Sequence, residues 1–70
     1  MDELTDRSRL WHRLYNQLGL ILANAELLEE KATDQRTRSR ATQVVAGAVE
    51  AFRMARELRS KLEPPTDDSP

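Results

Sequence analysis

His12 is the only imidazole in a chain of 70 residues that has no cysteine. One histidine cannot build a histidine metal site, and without thiols there is neither a disulfide framework nor a thiolate metal site. What His12 can offer is a nucleophilic ring nitrogen. Its spacing to other residues supplies neighbours. Read as a helix, the sequence puts Ser8, Arg9 and Asn16 one turn from His12 on the same face, with Gly19 two turns on. That face presents a nucleophile, a short polar amide and a position with no side chain. Glycine inside a helix costs about 1 kcal/mol relative to alanine, a cost offset if something must pack closely there. Taken alone, one exposed histidine on a charged face is an ordinary solvated side chain.

The elements that must carry this face are legible from periodicity. Between Asp2 and Ala32 there is no proline and one glycine, and apolar residues recur every three or four positions. They are Leu4, Trp11, Leu14, Leu18, Ile21, Leu22, Ala25 and Leu28, the pattern of an amphipathic helix. A first helix is expected over about 2–32, with Asp2, Glu3 and Asp6 suiting the positive end of its dipole. With Leu4 at heptad position a, Trp11, Leu18 and Ala25 follow at a, and Arg7, Leu14, Ile21 and Leu28 fall at d. His12 then lies at b, outside the seam and exposed beside Trp11. Thr33 and Asp34 are good helix N-caps, so a turn is expected at about 33–35. A second helix over about 36–63 carries Ala41, Val44, Val45, Ala48, Val49, Phe52, Ala55, Leu58 and Leu62. Its smaller residues suit close approach to the larger ones of the first. Pro64 and Pro65 stop it, and the acidic tail, 64–70, is expected to be disordered.

The predicted fold is all-α, an antiparallel hairpin of two helices each about 42 Å long. The apolar face of the first helix is too wide for one partner, since Leu10 lies at g and Leu20 and Leu27 at c. A chain this small also buries too little surface to be secure alone. Both arguments point to a homodimeric four-helix bundle. A long intermolecular coiled coil is the alternative, and the short connection favours the hairpin. The net charge of −1 argues against nucleic-acid binding. The longest apolar run, Leu20 to Ala23, is far short of the roughly 20 residues a membrane span needs. No signal peptide is recognisable at the start. A soluble, cytoplasmic, natural small protein is expected.

The stretch His12-Arg13-Leu14-Tyr15-Asn16-Gln17-Leu18, running on through Gly19-Leu20-Ile21-Leu22 to Glu26-Leu27-Leu28, resembles the phosphoacceptor helix of sensor histidine kinases. The dimerisation and histidine phosphotransfer domain of that family carries a His-acid-Leu-x-Asn/Thr motif followed by Leu, Ile and a Glu-Leu-Leu-like end. The second helix, from Arg40 through Leu58, is similar to that domain's second helix, so the resemblance covers about residues 10–62. It implies that His12 is the phosphoacceptor and that Leu14, Leu18 and Ile21 pack. Asn16 matches the residue that helps hold a water for dephosphorylating a receiver domain. In the family, an acidic residue directly after the histidine accepts its proton when ATP phosphorylates it. Here that residue is Arg13, a cation that cannot take the proton. No Gly-rich loop or nucleotide motif is present either, so autophosphorylation is not expected. The other well-known phosphotransfer fold has lysine and glycine three and four residues after its histidine. Those positions here are Tyr15 and Asn16.

The expectation is therefore a phosphotransfer protein, with His12 and Asn16 as the reacting pair and no cofactor of its own. A response-regulator receiver domain is the expected partner and supplies Mg²⁺, with a histidine kinase as a second candidate partner. The surface expected to meet the partner comprises Arg9, Arg13, Gly19, Leu20, Arg53 and Arg56. A hairpin turning near Asp34 pairs residues whose numbers sum to about 68, which brings Arg53, Arg56 and Arg59 beside Arg9 and Arg13 as a basic collar. The same arginines also read as a solvated face with an Arg53–Glu57 pair. A second cluster, Arg36, Arg38 and Arg40, is expected to meet Glu26, Glu29 and Glu30 across the turn. Two other readings remain open: a dimeric bundle that binds a kinase or receiver without taking phosphate, and a bundle with no signalling role.

Overall fold

The computed structural model describes residues 3–62 as two antiparallel helices, α1 over Glu3–Lys31 and α2 over Gln35–Leu62, packed against each other along their length. The expected start at Asp2, the expected end at residue 63 and the tail, 64–70, lie outside the described residues, as does the side chain of Leu4.

Side chains close the turn. Asp34 caps α2: its Oδ1 accepts the backbone N–H of Thr37 at 2.8 Å, and its carbonyl accepts the N–H of Arg38 at 3.1 Å. Its carboxyl is held below the usual carboxylate range, first by the Thr37 hydroxyl, then by the Thr37 N–H and the nearby Arg38 charge. α1 ends without a left-handed residue. Instead the Arg38 guanidinium reaches back and donates to the carbonyl of buried Ala32 at 2.9 Å, satisfying an acceptor that the end of a helix leaves open. One turn on, the Thr42 hydroxyl lies 2.6 Å from Glu29 Oε2 and 2.9 Å from the Arg38 carbonyl. Its single proton favours the shorter, charge-assisted bond, which ties the two helices together. Of the expected contacts between Arg36, Arg38 or Arg40 and Glu26, Glu29 or Glu30, none forms among the described residues. Arg38 is drawn to the Ala32 carbonyl, and Glu29 to Thr42.

Each helix carries two seams side by side. The inner seam of α1 is Arg7, Trp11, Tyr15, Leu18, Leu22, Ala25, Glu29 and Ala32, all partly or fully buried. That of α2 is Thr37, Ala41, Val45, Ala48, Phe52, Ala55 and Arg59. Only alanines are buried outright, from Ala41 at 0 % exposure to Ala32 and Ala55 at 8 %. They let the helices approach closely, and the larger residues around them stay half-covered. Tyr15 stacks on Phe52 with ring centroids 6.1 Å apart and planes within 5°, and Trp11 lies 6.2 Å from Tyr15.

The inner seam corrects the heptad expectation. Apart from Arg7, it uses positions a and e; the remaining d residues Leu14, Ile21 and Leu28 are 40–51 % exposed. They lie on one flank of the contact with α2, where a two-helix contact covers them only in part. With Leu10, Gln17 and Asn24 they make an outer seam at alternating spacings of four and three, the signature of helix-to-helix packing. α2 presents Val44, Gly47, Ala51, Met54 and Leu58, also spaced three and four, and then Leu62. The two outer seams border one apolar groove. One hollow in it is lined by Leu10, Leu14 and Leu62, another by Leu14, Met54 and Leu58, and a third by Ile21, Leu28 and Val44.

Candidate functional site

α1 holds His12 by simple periodicity. Helical residues advance about 100° each, so His12 sits roughly 90° around α1 from the inner seam, on the flank opposite the groove. Its side chain is exposed, as is that of Asn16. The two are i,i+4 neighbours, a spacing that leaves about 5–6 Å between Cβ atoms. Among the described residues neither side chain has a hydrogen-bond partner, which leaves the imidazole and the amide open to a ligand or partner.

The expected site residues divide by direction. Arg9, three residues before His12, shares its side of α1 and is exposed. Arg13, the next residue, points about 100° away and does not face the imidazole. Gly19 continues the His12 flank toward α2. A Cβ built there meets nothing within 4 Å, so packing within this chain does not require the glycine. Leu20 is 56 % exposed, further round the outer side of α1.

On α2, the level of His12 follows from the contacts on either side of it. Tyr15 stacks on Phe52, and the Arg59 guanidinium lies over the Trp11 ring at 6.0 Å. Arg59 is thus part of the inner seam and not of a collar at the surface. Arg53 pairs with Glu50 at 3.4 Å, in place of the expected Glu57. Glu57 lines the groove on the other side. Arg56 is exposed on the His12 flank.

No family model, curated protein or solved structure matches this chain.

Sequence reasoning missed the Trp11–Arg59 stack and the place of Gly47 in the outer seam. The first had a signal, since Trp11 and Arg59 nearly satisfy the sum of 68. The second had one in the regular 44, 47, 51, 54, 58 spacing, which the two small residues disguise. Among the described residues no three His, Asp or Glu side chains come together as a metal site. No described helix is long and apolar enough to cross a membrane.

Proposed function

We propose that this chain is a histidine phosphotransfer protein of two-component signalling, working as a homodimeric four-helix bundle in the cytoplasm. The observation that carries the reading is the opposition of two faces: an exposed, unpartnered His12–Asn16 pair on one flank and an apolar groove on the other. In the inner seam only alanines are fully buried, while eleven large apolar side chains among the described residues are at least 40 % exposed. Covering the exposed half of Leu10, Leu14, Ile21, Leu28, Val44, Leu58 or Leu62 stabilises by on the order of 1 kcal/mol each. Summed over one chain, that is comparable to the stability of a whole small domain. Heptad-like spacing on both sides of the groove suits two further helices, and a second copy supplies them. His12 then stays outside.

In the reaction, the lone pair of an unprotonated His12 ring nitrogen attacks the phosphorus of a receiver's aspartyl phosphate. The P–N bond forms as the P–O bond breaks, the carboxylate leaves with its electron pair, and the other ring N–H gives its proton to water. The receiver brings Mg²⁺ and the acidic pocket, so this chain contributes position above all. Asn16 is placed to orient a water or the phosphoryl oxygens.

A second reading, a dimeric bundle that binds a receiver or a histidine kinase without taking phosphate, draws on one observation. Among the described residues no carboxylate touches His12, and Arg13 stands where the resembled family has its acid. Incubation with an acetyl-phosphate-loaded receiver domain separates the two. Phosphotransfer predicts acid-labile, alkali-stable phosphate on the wild type and none on His12→Ala. Stable binding with no phosphate on either would favour the second reading.

A further inference from the structure

The level of His12 on α2 lies between Phe52, which stacks on Tyr15, and Arg59, which covers Trp11. Of the residues nearest that level, Ala55 is buried against α1, while Glu57 and Leu58 line the groove on the far side. Arg56 is left, exposed on the same flank as His12. On α1, Arg9 sits one turn before His12 and Asn16 one turn after, both exposed. Among the described residues, Glu50 is paired with Arg53, and Glu57 lines the groove. Neither Arg9 nor Arg56 has an ion-pair partner among the described residues. Among the described residues, one flank of the hairpin thus holds an imidazole, an amide and two guanidiniums that no other side chain engages.

We infer that Arg56 and Arg9 form an anion clamp, one guanidinium from each helix, that holds the phosphoryl group as it joins His12. This rests on the reading of His12 as a phosphoacceptor and adds the residues that stabilise the transferred charge. Guanidiniums suit the task because their planar, fixed donors match phosphoryl oxygens. A clamp drawn from two helices ties the geometry of the site to the closed hairpin. It also gives the basic residues of this flank a role that the docking of a receiver alone does not require.

Phosphoramidate, a small anionic donor, tests the clamp without a protein partner. Its P–N bond to ammonia breaks as the bond to the imidazole forms, and ammonia leaves with a proton. The full chain and its variants are compared for the rate of acid-labile phosphorylation across a range of salt. We expect Arg56→Gln to be about threefold slower at low salt, with Arg9→Gln intermediate, and the salt dependence to flatten in both as the attracting charge is removed. Arg56→Lys should keep most of the rate, and Arg40→Gln, exposed near the turn and far from His12, should match the wild type. A purely structural role for Arg56 would leave the salt dependence intact. Equal rates and equal salt dependence for wild type and Arg56→Gln would overturn the clamp while leaving His12 as the acceptor. No phosphate at His12 of the wild type would sink the phosphoacceptor reading and the clamp with it.

Discussion

Arg38 closes the end of α1 with its side chain, where many helices use a left-handed glycine. Replacing it with methionine keeps the stem and leaves the Ala32 carbonyl unpaired, so Arg38→Met should lower hairpin stability by about 1 kcal/mol in a denaturant titration. Asp34 gives a pH signature. Its native carboxyl is held below the ordinary range, so its contribution is present above the unfolded value and disappears as pH falls through the lower native one. Melting curves taken into acid should show the wild type losing this contribution, while Asp34→Asn, a neutral cap with an acceptor at every pH, should be flatter over that window. The cap was legible in the sequence because an Asx residue before a helical pattern has one strong local use. The exposure of His12 was legible for the same local reason, since position b points away from a heptad seam. The Arg59–Trp11 stack and the Arg53–Glu50 pair were not. Long side chains choose among several partners within reach, and residue spacing does not decide between them.

At the scale of elements, the two helices could be read with little ambiguity because nothing in 3–31 or 35–62 breaks the period. What the period could not say is which neighbour each stripe meets. Leu14, Ile21 and Leu28 belong to the expected apolar face, yet they lie at the edge of the contact with α2, only partly covered. Periodicity gives an angle around a helix, and only packing says what lies at that angle. The two glycines turn this into a test. Both are open in the single chain, but Gly47 lies in the outer seam and Gly19 on the His12 flank. Gly47→Leu should leave the helical circular dichroism intact or slightly raised and weaken self-association at least tenfold by overpacking. Gly19→Leu should leave self-association unchanged. Equal effects from both substitutions would show that the groove is not where a second copy packs.

For the whole molecule, the open groove and the alanine core are what the proposed pairing of two hairpins draws on. Sedimentation equilibrium at micromolar concentration should give twice the 8.0 kDa chain mass. Leu14→Glu, which puts a charge in the centre of the groove, should shift the population to single chains with reduced helicity. In the proposed dimer the two His12 residues would lie on outer flanks, each on its own hairpin, so that the proposed receiver would reach either without parting the bundle. The measurement that bears most directly on this account is site-mapped mass spectrometry at neutral pH or above, on chain that has been exposed to a phosphorylated receiver domain with Mg²⁺. The account predicts one phosphoryl group per chain, carried on the peptide containing His12 and absent from His12→Ala. A stable complex in which the chain stays unmodified, or phosphate on any other residue, would contradict it.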